Sequence, residues 1–195
     1  ASYRDIDHLV EWLHAAPGEP SPGRPPQPAP PGRPTLLFPF AAPTVAGDLL
    51  DAGPRSELEL RVLLVGVERL VARLAEIRRG DDANDRLHVV LPGSPNRGLF
   101  GGDGAYGESK AALDALTKRA ASERSWRDHV SLVHAIIGWV RGTSLMGAHD
   151  AAATAAENAG ITTCSPDQMA GELLALCDPA RRHDAARSPL TVDLS

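Results

Sequence analysis

The chain has 195 residues, 43% of them hydrophobic, which is enough apolar material for one domain with a substantial core. Its formal net charge of -5 offers no basic footprint for nucleic acid or an anionic membrane. No apolar run approaches the ~20 residues of a membrane span, and the opening ASYRDIDHLVEW lacks the basic region and apolar core of a signal peptide, so a cytoplasmic protein is expected.

Taken in chain order, Ile6, Leu9, Val10 and Leu13 recur at the i, i+3, i+4, i+7 spacing of an amphipathic helix that ends near Pro17. From 17 to 34 roughly half the residues are proline, which excludes helix and ladder alike. This stretch reads as a solvated insertion or as a Pro-rich docking segment for an SH3-like partner. The short apolar run TLLF at 35–38 stops at Pro39 and suits a strand buried on both faces. Phe40, Ala41 and Ala42 follow, small enough in part for a cofactor to approach the backbone, or simply a strand-to-helix turn. Ser56 with Glu59 three residues on has the capping-box pattern, so a long helix is expected from there to about Arg79, closing at Gly80. Leu58, Val62, Val65, Arg69 and Ala72 fall along one side of it, and Leu63, Val67, Leu70 and Leu74 widen the apolar stripe.

Residues 91–110, LPGSPNRGLFGGDGAYGESK, organise the rest. The strand-like run LHVVL enters, a Gly-rich loop crosses, and a helix begins near Tyr106. Tyr106 and Lys110 are four apart, so a helix stacks the phenol and the ammonium on one face. Ser94 stands at the end of the incoming strand, where strands present side chains to a cleft. The plain alternative is a helix-start aromatic and a solvated surface charge. Beyond it, VSLVHAII at 130–137 reads as the next buried strand, and 150–158 as an Ala-rich helix closing near Gly160. A further helix starts at Ser165-Pro166-Asp167, and PLTVDL at 189–194 is a last strand. His134 is an acid/base candidate or a satisfied core histidine; Arg141 is a phosphate contact or a surface charge. Cys164 and Cys177 are the two cysteines, a redox pair or two small buried thiols, and neither has metal-site spacing, so no metal is expected. Strands alternating with helices imply right-handed crossovers and an α/β, Rossmann-like doubly wound parallel sheet, with ligands at the carboxyl ends of the strands.

Ser94, Tyr106 and Lys110, with Ser-Pro-Asn-Arg-Gly before and Phe-Gly-Gly-Asp-Gly between, resemble the ketoreductase domain of type I fatty acid synthases. That domain is a divergent branch of the short-chain dehydrogenases and reductases. The run IIGWVRGTSLM at 136–146 and Pro39-Phe40-Ala41-Ala42 resemble two further segments of it, and the actinobacterial form is the nearest likeness. The resemblance implies reduction of a 3-oxoacyl group on an acyl carrier protein by NADPH, within a large homo-oligomer of synthase domains. It implies Ser94, Tyr106 and Lys110 as catalytic groups. Phe40, Ala41, Ala42, Lys110, Gly138, Val140 and Thr143 would then contact the cofactor. Many relatives place an Asn on the preceding helix to hold a relay water; the matching position here is near Gly66. The strand, Gly-rich turn and helix that hold a pyrophosphate have no counterpart before Ser94. The expectation is therefore the catalytic, C-terminal part of a ketoreductase spanning 1–195, cut from a larger polypeptide, with an insertion at 17–34. The rival expectation is a non-catalytic reductase-like module kept for assembly.

Overall fold

The computed structural model describes residues 2–14, 33–78, 85–98, 101–143, 145 and 151–195. Nearly all of the Pro-rich stretch lies outside the described residues, as do Arg79, Gly80, Phe100, Ser144 and Met146. The elements begin with α1 (Tyr3–His14), β1 (Leu36–Leu37), α2 (Pro54–Leu60), a π-helical turn (Arg61–Val65) and α3 (Gly66–Glu76). They continue with β2 (Leu87–Gly93), α4 (Tyr106–Ser122), the short α5 (Arg124–Arg127), β3 (Val130–Ile137) and β4 (Trp139–Val140). The last are α6 (Ala151–Asn158), β5 (Thr163–Cys164), α7 (Pro166–Ala175), α8 (Pro179–Arg187) and β6 (Leu190–Leu194).

The two continuous apolar runs become the middle of the sheet, because only strands covered on both faces can bury every side chain. β2 and β3 pair in parallel from Leu87↔Val130 to Gly93↔Ile136. β1 flanks β2 and β6 flanks β3, all parallel, giving the order β1-β2-β3-β6. Period-two alternation then divides the strands between two cores. Leu87, Val89, Leu91, Val130 and Leu132 meet Val10 of α1, Val71 and Leu74 of α3, and Leu113 and Leu116 of α4. Val90, Val133 and Ala135 meet Met169 and Leu173 of α7 and Ala185 of α8. The doubly wound parallel sheet is thus as expected.

Four local readings change. The strand expected over 35–38, buried on both faces, pairs at Leu36 and Leu37, and Leu36 is exposed. The helix expected from Ser56 starts two residues earlier, with Pro54 in its first turn and Gly53 O accepting from Glu57 N. Ser56 is therefore inside the helix, and no Ser56–Glu59 capping box forms. Proline at the first helical position needs no N–H, which lets the helix begin there. The apolar stripe also shifts. Its buried line runs through Leu63, Val67, Val71 and Leu74, while Leu58 is exposed. The π turn explains this: Gly66 N donates to Arg61 O, five residues back, so one extra residue is inserted and the faces rotate. Cys164 and Cys177 are both free and half-buried rather than fully enclosed.

Candidate active site

The Gly-rich loop is held at both ends before α4 starts. Gly47 N donates to Gly102 O and Gly104 N to Gly47 O, at 3.2 and 2.9 Å, so the loop lies against the chain that follows β1. Asp103 is buried, and its Oδ2 accepts from Asn96 Nδ2 at 2.8 Å and from Gly107 N at 3.1 Å. A carboxylate on the first-turn N–H groups both satisfies an orphan donor and complements the helix dipole. Glu59 of α2 reaches the same place from the other side: it is fully buried and accepts from Ala105 N at 2.6 Å. Gly104 has φ of +60°, and a Cβ there would lie 2.4 Å from Glu59 Oε2, so both the turn and the close approach require glycine. Two buried acids from different segments thus aim the start of α4.

That start carries Tyr106. Ser94 stands near enough to the phenol to lower its pKa, and Ser94 Oγ accepts from Asn96 N at 3.1 Å. Burial nevertheless pushes the Tyr106 pKa above its usual value, with Ser94 opposing and the Asp103 charge adding to the rise. An ammonium one turn along a helix would be expected to lower a phenol's pKa, but burial outweighs that here. Lys110 lies one turn on, 5% exposed, its Nζ 5.2 Å from the centre of the Tyr106 ring and donating to Pro92 O at 2.5 Å. Burial lowers its pKa from 10.5 to about 8. An ammonium has three protons to give, and Pro92 O takes one.

Ser94, Tyr106 and Lys110 line a cleft of about 790 Å³ at the carboxyl ends of β1, β2 and β3. Phe40, Ala41 and Ala42 form one wall after β1, and Gly138, Val140 and Thr143 another after β3, so every residue expected at the cofactor faces this one space. Thr143 Oγ1 donates to Val140 O at 3.2 Å, which pins the second wall. β4 pairs with β5 through Trp139↔Thr163 and Val140↔Cys164, tying that wall to α7, whose Met169 and Leu173 close the cleft from below. Arg141 is turned away and forms an ion pair with Glu157 of α6, whose carboxyl it holds well below the usual range. Of its two readings, a surface charge is the one this ion pair satisfies. Among the described residues no group of His, Cys, Asp or Glu could hold a metal ion, and no helix is long and apolar enough to cross a membrane.

The cleft has groups that could hold a nicotinamide and its ribose: a wall of Phe40, Ala41 and Ala42, a hydroxyl-bearing wall, and a buried ammonium. A strand, Gly-rich turn and helix for the pyrophosphate are not among the described residues. The sequence reading missed Asn96, Asp103 and Glu59. Asp103 could have been found, since an acid just before a helix start is a capping signal; Glu59 sits 46 residues from its partner and carries no such local sign.

No model of a known protein family matches the chain. It is 37% identical over 197 residues to a fatty acid synthase subunit alpha of Cochliobolus carbonum, covering 99% of this chain and 12% of the relative. Against a fatty acid synthase alpha subunit of Emericella nidulans the identity is 36% over 196 residues, covering 100% and 10%. The chain therefore spans about a tenth of the length of the curated relatives it matches. Among solved structures, a short chain dehydrogenase from Bacillus anthracis superposes with a TM-score of 0.72 at 16% identity, covering 98% of this chain and 71% of that one. A gluconate 5-dehydrogenase from Burkholderia cenocepacia in complex with NADP and tartrate gives 0.68 at 19%, covering 85% and 64%. A 4-hydroxyisoleucine dehydrogenase complexed with NADH gives 0.67 at 20%, covering 83% and 68%. The fold is that of the short-chain dehydrogenases and reductases, and the sequence is homologous to one stretch of the synthase alpha subunits.

Proposed function

We propose that this chain is the catalytic part of a ketoreductase domain in a multifunctional type I fatty acid synthase, of the actinobacterial kind. It reduces a 3-oxoacyl group on an acyl carrier protein to the 3-hydroxyacyl group with NADPH, in the cytoplasm and within a large homo-oligomer of synthase domains. The observation that carries this is that Ser94, Tyr106 and, one turn further along α4, buried Lys110 line one cleft at the strand ends.

NADPH, when bound, supplies the hydride for C3 of the substrate. Ser94 positions the carbonyl oxygen, and Tyr106 gives its proton to the alkoxide that develops there. Its raised pKa keeps the phenol protonated at neutral pH, as a proton donor must be. Lys110 supplies positive charge beside the phenolate left behind and has donors for the nicotinamide ribose. Phe40, Ala41 and Ala42 cover the adenine side, while Gly138, Val140 and Thr143 border the nicotinamide. The preference for NADPH over NADH rests on the likeness to the synthase. The second reading is a non-catalytic reductase-like module kept for assembly.

Tyr106→Phe and Lys110→Ala, assayed in the full-length natural polypeptide, separate the two. The reductase reading expects 3-oxoacyl thioester turnover to fall by roughly 10²-fold or more in each, with NADPH affinity in Tyr106→Phe nearly unchanged. Turnover that survives both substitutions rules it out.

A further inference from the structure

Two histidines are fully buried in the sheet, and their surroundings differ. His88 points to the α7 side, where its ring nitrogens meet Ser131 Oγ at 2.9 Å and Leu176 O at 3.1 Å. Both partners are neutral, so this ring is held as a core histidine. His134 points to the α4 side. Its Nδ1 lies 3.2 Å from Asp114 Oδ1 without the geometry of a hydrogen bond, and its Nε2 has no hydrogen-bond partner among the described residues. An imidazole shut from water with unspent nitrogens costs stability. Room is nonetheless kept for it: a Cβ at Gly93 would lie 2.4 Å from Nε2.

The ring is placed beside the catalytic helix. Lys110 and Asp114 stand one turn apart on the same face of α4. Lys110 donates to Pro92 O, and the next residue of β2 is the Gly93 against which His134 packs. Asp114 is 34% exposed and accepts from Arg97 at 2.8 Å, so it connects the buried ring to solvent. The charges acting on His134 are Asp114 and Lys110 of α4 and Arg97 of the loop after β2. β2 brings Leu91 and Gly93 to it, and β6 brings Thr191, none of which titrates in this range. Gly66, where relatives would place a relay Asn, offers no alternative. A Cβ there would lie 2.7 Å from Arg61 O, with Ile6 of α1 next nearest at 3.6 Å, so the position faces α1 and admits no side chain.

We propose that the His134–Asp114 pair is the proton supply of this site, a positioning pair that acts through Lys110 and links the buried Tyr106 and Lys110 to solvent. The inference rests on the reductase reading above. In each turnover the Tyr106 O–H bond breaks as an O–H bond forms on the product alkoxide. An N–H proton of Lys110 replaces the one lost by the phenol; the Nε2 proton of His134 replaces that of Lys110 as Nδ1 takes up a solvent proton by way of Asp114, so the ring stays neutral and only changes tautomer. Only protons move in these steps.

The test is NADPH oxidation by a 3-oxoacyl thioester in the full-length natural polypeptide, across pH, for wild type, His134→Ala and Asp114→Asn. The pair's role predicts kcat lowered about tenfold or more in each variant, with KM and NADPH affinity within about twofold and added imidazole restoring part of the loss in His134→Ala. Wild-type kcat and pH profile in both variants would overturn it. Should His134→Ala fail to bind NADPH, Asp114→Asn decides alone, because its side chain is outside the core. A wild-type protein without turnover overturns the reductase reading, and this inference with it.

Discussion

Lys110 is under two opposed demands. Its chemistry needs a charge, and its burial penalises one: the drop from 10.5 to about 8 corresponds to about 3 kcal/mol held against the folded state at neutral pH. Because the folded pKa is below the unfolded one, the unfolded chain binds more protons between pH 8 and 10.5, so this group's contribution to stability improves as pH rises through that window. Turnover moves the other way and declines as Lys110 deprotonates above about 8. Lys110→Met removes the buried charge and loses the bond to Pro92 O, worth about 1–3 kcal/mol. The expected outcome at neutral pH is unchanged or higher stability, by about 1 kcal/mol, together with lost turnover. Chemical denaturation at neutral and alkaline pH checks this. A variant clearly less stable than wild type would mean the ammonium is stabilising where it sits.

At the scale of elements, α4 is aimed by groups outside itself. Glu59 and Gly104 are fitted to each other across 45 residues of sequence, the carboxylate occupying the space a side chain at 104 would need. Gly104→Ala should therefore destabilise by more than the ~1–2 kcal/mol of a left-handed alanine, and Glu59→Ala by about 1–3 kcal/mol through the unpaired Ala105 N–H. In the double variant the clash is gone, so its loss should be clearly smaller than the sum of the two single losses; thermal unfolding of all four forms measures the coupling. Strict additivity would deny the contact. This region also shows where sequence reasoning stops. Tyr106 and Lys110 were legible because helical i, i+4 spacing is local and needs no partner. Glu59 was misread because a Glu three residues after a Ser has the same form as a capping box, and its true partner is remote. The π turn was invisible for a related reason: apolar residues on both sides of it satisfy a 3.6-residue period until the extra residue rotates one half against the other.

At the scale of the molecule, the parallel sheet was legible because β2 and β3 are continuous apolar runs, a pattern that only a sheet covered on both faces can bury. The site followed from it, since the segments after β1, β2 and β3 all leave the sheet at one end. Their convergence on a single cleft places small residues, a hydroxyl, a phenol and an ammonium around the position a nicotinamide would take. The pairing of Arg141 with Glu157 was not legible, being set by how α6 docks, nor was the closeness of Arg61 O to Gly66, which the π turn sets. NADPH fluorescence titration of the full-length natural polypeptide, followed by addition of a 3-oxoacyl thioester, tests the central claim most directly. The account predicts saturable binding and then loss of the NADPH signal as the thioester is reduced to its 3-hydroxy form. NADPH that does not bind, or that binds and stays reduced in the presence of the thioester, would contradict it.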